Sequence, residues 1–209
     1  KKGKNLFADK KDNLGLSSTA YNFMGGIINS AEALTAWFNP TINSYKRINA
    51  PVTASGATWA PNTITYSGNN RTHMIRVPGP GRFELRLMDG ATNPYLLQAG
   101  ILAAGINGIE KKINPGKPIN VNMYEDGHKV KGAKKLPMNL ESSLNHLGKS
   151  KVLKSAFGDE TINSYIKLKN REIKKYNSSI EKKIGFKGAK KTIKSNIITQ
   201  WEKNNTLDC

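Results

Sequence analysis

Residues 74–87 read MIRVPGPGRFELRL, and no other stretch limits the fold as tightly. Met74-Ile75-Arg76-Val77 and Arg82-Phe83-Glu84-Leu85-Arg86-Leu87 alternate at the period of a β-strand. Between them stands Pro78-Gly79-Pro80-Gly81, where proline fixes φ and glycine frees it. That joint is a turn, so the two runs are expected to be neighbouring antiparallel strands. Phe83, Leu85 and Leu87 then share a face that enters a core. Arg82, Glu84 and Arg86 share the opposite face, a carboxylate between two guanidinium groups. One reading is a solvated face with ordinary, weak ion pairs. The other is a polyanion site, since arginine forks bind phosphate or carboxylate oxygens and a lone carboxylate among them suits a hard divalent cation.

The rest of the chain predicts helices behind this pair. Ser17 or Ser18 caps a helix to about Phe38, with Phe23, Ile27, Ala31, Leu34 and Phe38 as its apolar stripe. Gly25-Gly26 in its middle points to close approach of another backbone. Asn39-Pro40 ends it, and a polar segment follows from Thr41 to Arg47. From Ile48 to Asn69 there is no charged residue, and Trp59 sits in the middle of a neutral loop that is either a lid or a plain connection. Strand is expected at Thr63 to Tyr66. Asn93-Pro94 opens a second helix to about Lys112, kept thin by Ala99, Gly100, Ala103 and Ala104. Residues 117–137 look irregular. Short helices follow at 139–147 and 151–157, then a longer amphipathic one from Asp159. Residues 178–209 read as a basic helical tail to the 1–177 body, interrupted at Gly185 and Gly188 and ending in a short helix near 197–202. The expected class is α+β, a mostly antiparallel sheet carrying the site face with helices packed behind.

With 209 residues the chain buries one sizeable core. It has no run of 18 apolar residues, so no membrane span is expected. The opening KKGKNLF has neither an initiator methionine nor a signal segment, as expected of a piece of a longer protein. The single cysteine, Cys209, excludes an internal disulfide framework and fits a reducing, cytoplasmic compartment. The net charge of +18 divides into +7 for residues 1–112 and +11 for 113–209. Most of the excess is lysine spread along helical faces, without the aromatic-basic interleaving of single-strand binders, so nucleic acid is not the expected partner.

The motifs then occur in a specific order: GKNLF at 3–7, NPTINSYKR at 39–47, NNRTHMIRVP at 69–78, RFELRL at 82–87, DGATNPYLLQAGILAAGINGI at 89–109 and NMY at 122–124. In this order they resemble the C-terminal part of the glutamine synthetase catalytic domain, over nearly the whole chain. The resemblance implies ATP-dependent ligation of ammonia, or another small amine, to the γ-carboxylate of glutamate through γ-glutamyl phosphate. It further implies Mg2+ or Mn2+ and a homo-oligomeric ring of subunits, commonly a dodecamer. Carried over by position, Arg47 matches an arginine that binds glutamate. Arg71 and Arg76 match those facing the phosphates and the glutamyl group. Arg82 matches a nucleotide-side arginine, Glu84 a metal ligand, and Arg86 the arginine that holds the substrate carboxylate and supports phosphoryl transfer.

Four departures accompany the resemblance. The family's other metal carboxylates, its metal-binding histidine and its N-terminal β-domain lie upstream of the GKNLF match, so this piece alone is expected to be inactive. Ala60-Pro61 follows Trp59 where the family has a lid glutamate that takes a proton from ammonium. Tryptophan offers cation–π attraction but accepts no proton. That leaves two readings open, ammonia with another base or an alkylated amine, as in the γ-glutamylmethylamide synthetases of the same family. Thirdly, no lysine stands between Arg76 and Arg82, where bacterial relatives carry a nucleotide contact. Finally, Tyr124 occupies the place adenylylated in some members, but the following Glu125-Asp126-Gly127 differs, and a packing role is the preferred reading. Beside the ligase stands a second class, a non-catalytic regulatory or binding module that kept the fold.

Overall fold

The computed structural model describes residues 3–50, 60–193 and 198–206; Trp59 and Cys209 lie outside the described residues. Helix α1 (Ser18–Phe38) is the element on which the others are built. Ser17 caps it by accepting from the Ala20 amide, as its position in the sequence predicts. Ile27, Ala31, Leu34 and Phe38 are buried, and Phe23 packs at the edge of the same core. Apolar burial of this kind stabilises by roughly 1.5–3 kcal/mol per large side chain.

Helix α3 (Pro94–Glu110) lies along α1. A Cβ on Gly26 would collide with the Ala104 carbonyl oxygen, and one on Gly108 with the Asn22 carbonyl oxygen. A Cβ on Gly25 would strike the Ile113 carbonyl oxygen beyond the end of α3. The close approach expected from Gly25-Gly26 is therefore real, and backbone meets backbone there.

Three strands make one sheet, ordered β1 (Tyr66–Ser67), β2 (Ile75–Gly79) and β3 (Arg82–Leu85). β2 and β3 are antiparallel about the Pro80-Gly81 turn, with Gly81 at φ +70°. β1 runs parallel to β2, so the sheet is mixed where a mostly antiparallel one was expected. A strand of two residues is short enough for residues 68–74 to return the chain to its start without a helical crossover. Thr63 meets Lys135 in an isolated bridge outside the sheet.

The segment 41–47, expected only to be polar, forms helix α2 (Ile42–Ile48) behind a reciprocal Thr41/Ser44 capping box. Thr41, Ser44 and Asn49 satisfy its ends, which apolar periodicity does not register. Helices α4 (Leu140–Lys149) and α5 (Lys151–Phe157) pack against α1 and α3. Helix α6 (Asp159–Ile193) continues past residue 177 and through Gly185 and Gly188, where an interruption was expected. The last element is α7 (Gln200–Thr206). Trp37 of α1 meets Phe157 of α5 and Tyr165 of α6 edge-on, at 5.0 and 6.3 Å between ring centroids, and closes the core on that side.

Candidate active site

Arg76 on β2 faces Glu84 on β3 in the antiparallel register. Its Nη1 donates to Glu84 Oε2 at 2.7 Å. Its Nε and Nη2 both donate to Asn69 Oδ1, at 2.9 and 2.6 Å. Arg86 Nη1 lies 3.6 Å from Glu84 Oε1, a charge contact longer than a hydrogen bond. The carboxylate is thus held between two guanidinium groups, as strand alternation suggests, but Arg76 takes the place expected for Arg82. Directly opposed residues on paired strands are closer than neighbours two apart on one strand. Arg82 itself is exposed beside the turn.

Behind Glu84, Phe83 stacks on Phe7 at 5.9 Å and tilts against Phe23 at 6.2 Å. The apolar face of β3 therefore rests on the N-terminal loop and α1. That loop is itself tied to the hairpin, since Asn5 Nδ2 donates to the Gly81 carbonyl at 2.9 Å.

The chain leaves β3 through a locked corner. Asn39 Nδ2 donates to the Leu87 carbonyl at 3.0 Å and to Asp89 Oδ2 at 3.1 Å. Arg47 Nη1 donates to the same Leu87 carbonyl at 3.3 Å. Burial pulls the Arg47 guanidinium below its ordinary pKa, the Asp89 carboxylate opposes that shift, and the Arg86 charge adds to it. Arg47 and Arg86 thus stand near enough to repel, an arrangement that favours an anion between them. Arg86 Nε is buried and has no hydrogen-bond partner among the described residues. A buried donor of this kind is costly in a folded chain unless something binds it.

Arg71 is exposed in the loop after β1, and that loop is pinned rather than free. Thr72 Oγ1 accepts from the Met123 amide at 2.8 Å. His73 is fully buried, with Nε2 2.9 Å from the Val121 carbonyl and Nδ1 2.9 Å from Thr65 Oγ1. A carbonyl only accepts, so Nε2 carries the hydrogen and neutral Nδ1 accepts from the threonine. Burial lowers the His73 pKa from 6.5, with the Val121 hydrogen bond opposing. Below pH 6.5 the unfolded chain therefore binds a proton that the folded chain resists. Stability is full above that value and declines as pH falls towards the lower folded value. Urea midpoints measured from about pH 7.5 to about 5.5, across the ordinary imidazole range, are expected to fall, and His73→Gln to flatten that decline. An equal decline in the variant would assign the effect to other groups.

Tyr124 lies beside the same anchor, its amide donating to Asn122 Oδ1 at 3.0 Å and its hydroxyl oxygen buried. Asn69, Asn39, Asp89 and His73 hold the candidate residues in place; all four lie in the matched runs 39–47, 69–78 and 89–109, but nothing in their spacing marks them as supports.

Among the described residues no group of three or more His, Cys, Asp or Glu side chains could hold a metal ion. Glu84 is the single carboxylate of the arginine face and already accepts from Arg76. Magnesium needs near-octahedral oxygen coordination, so these residues do not by themselves form a metal centre. Among the described residues, too, no helix is long and apolar enough to cross a membrane.

Helices packed on a small mixed sheet, with an arginine-framed carboxylate on one strand, define an α+β domain. The family model for the glutamine synthetase catalytic domain matches residues 1–184. The chain belongs to that family. A glutamine synthetase of Rhizobium meliloti (strain 1021) is 52% identical over 98% of this chain and 43% of its own length. A glutamate–methylamine ligase of Methyloversatilis universalis is 44% identical over 83% of this chain and 40% of its own. Among solved structures, the ADP complex of GmaS superposes with a TM-score of 0.79 at 49% identity, covering 100% of this chain and 44% of that one. GmaS without ligand gives 0.76 at 44% identity, covering 42% of that chain. The chain spans less than half the length of the relatives it matches. Those structures have the same helices and small sheet, so the expected α+β class holds.

Proposed function

We propose that the whole protein carrying this chain is an ATP-dependent ligase that joins ammonia to the γ-carboxylate of glutamate through γ-glutamyl phosphate. The observation that carries the reading is the buried, unpartnered Nε of Arg86, next to Arg47 and the Arg76–Glu84 pair. Arg47 binds glutamate, and Arg86 holds its reacting carboxylate and meets charge developing on the transferring phosphoryl group. Arg71, Arg76 and Arg82 face the nucleotide phosphates, and Arg71 also the glutamyl group. Glu84 supplies one oxygen to Mg2+ or Mn2+, with the remaining ligands coming from outside this chain. On this reading residues 1–177 and the 178–209 tail belong to one catalytic domain. The protein works in the cytoplasm as a ring of subunits, and the piece alone is inactive.

A second reading is favoured by the lid: residues 48–70 contain no Asp or Glu, and Trp59 precedes Ala60-Pro61. Methylammonium gains cation–π attraction to Trp59, and the product is then γ-glutamylmethylamide. The full-length protein, given ATP, glutamate and a panel of amines, decides between them. Glutamate-dependent phosphate release is expected, fastest with ammonium on the first reading and with methylamine on the second. No release with any amine would leave a non-catalytic module of the same fold.

A further inference from the structure

Helix α2 has seven residues, too few to be stable by itself. Its place depends on contacts from consecutive side chains. Tyr45 bonds Ser143 of α4 at 2.5 Å, Arg47 bonds the Leu87 carbonyl at 3.3 Å, Ile48 enters the core, and Asn49 donates to the Met138 carbonyl at 2.9 Å. Lys46 points elsewhere, to the C-terminal end of the chain. Its Nζ lies 2.6 Å from Glu202 Oε2, with the two side chains 8% and 0% exposed. The same carboxylate oxygen accepts from the Thr199 amide and hydroxyl, at 2.6 and 2.8 Å. Thr199 and Glu202 thus form the capping box that starts α7, and the box fixes the carboxylate that receives Lys46. Around the pair, Tyr176 and Ile180 of α6 pack with Ile42 of α2 and Trp201 of α7 into a small core of their own. Lys46 Nζ also lies 5.8 Å from the centre of the Tyr176 ring.

We infer that Glu202 is a positioning residue for Arg47, acting through Lys46 and the α2–α7 contact. Lys46 and Arg47 are adjacent in the last turn of one short helix. The buried pair sets the rotation and depth of that turn, and with them the height of Arg47 over the Leu87 carbonyl. Removing the Glu202 carboxylate takes away the short contact that ties the last turn of α2 to the start of α7, and a two-turn helix answers by moving. The inference rests on Arg47 binding glutamate, so its effect belongs in glutamate affinity and not in nucleotide affinity.

The test is steady-state kinetics of the full-length protein carrying Glu202→Gln. KM for glutamate is expected to rise about tenfold to a hundredfold, as misplacement of a substrate-binding group by an ångström produces, with KM for ATP unchanged. A Lys46→Met/Glu202→Leu pair keeps the buried volume without its charges, and is expected to recover most of the loss. Should Glu202→Gln fail to fold, the double substitution alone carries the test: near-native glutamate KM supports an α7 brace, and equal loss of both affinities overturns it. An unchanged glutamate KM in folded Glu202→Gln overturns the inference while leaving the ligase reading intact. An inactive parent protein refutes the ligase reading and the inference with it.

Discussion

Arg86→Ala in the full-length protein is expected to lower kcat/KM for glutamate by about 10²–10³ while moving the melting midpoint little. The two effects separate because Arg86 contributes little to holding the fold. Its nearest carboxylate contact is 3.6 Å, to a glutamate that is 43% exposed, and an exposed pair of that kind is worth at most about 1 kcal/mol. Its buried Nε has no partner to lose among the described residues. Arg86→Lys retains the charge but not the planar fork, and is expected to recover only a small part of the activity. Arg76 is the contrast. Its three bonds to Glu84 and Asn69 fasten β2 to β3 and to the loop before it. Arg76→Ala is therefore expected to lower stability as well as activity. Initial rates and thermal melts on the three variants are the measurements. If Arg86→Ala melts as early as Arg76→Ala and keeps its rate, Arg86 is a structural residue and the candidate site is misread.

Those two arginines also show what was legible in the sequence. The strand period places Glu84 and Arg86 on one face and Phe83 on the other, and the structure agrees. The second guanidinium partner needs the cross-strand register, which no single run of residues contains. Strand alternation alone therefore points to Arg82 in place of Arg76. The caps of α2 were equally hard to read, because polar ends and a partly polar face leave no apolar stripe to detect. Contacts between residues distant in sequence escaped altogether, and Lys46–Glu202 and His73–Val121 are examples. Gly25-Gly26 was readable because paired glycines inside a helix are disfavoured unless space demands them.

That pair supports the largest expected change in stability. Gly108→Ala puts a methyl against the Asn22 carbonyl and within 2.6 Å of the Gly26 amide nitrogen. Gly26→Ala puts one against the Ala104 carbonyl and 2.8 Å from Gly108 Cα. All the obstructing atoms are backbone, so no side chain can rotate away and the two helices must separate. Overpacking costs about 1–3 kcal/mol, and a rigid obstruction belongs at the upper end or beyond. Alanine returns up to about 1 kcal/mol of helix propensity, so the net loss expected is about 2 kcal/mol for either variant. The two substitutions require the same separation of α1 from α3. Gly26→Ala/Gly108→Ala is therefore expected to cost clearly less than the sum of the singles. Gly79→Ala is the control: a Cβ there meets nothing within 4 Å, and a gain or loss of less than about 1 kcal/mol is expected. Urea unfolding of the four proteins measures all of this. Strict additivity in the double would mean that the helices yield locally at each glycine instead of moving apart as bodies. Arg86 would then be undisturbed, because the displacement would not reach β3 through Phe23 and Phe83.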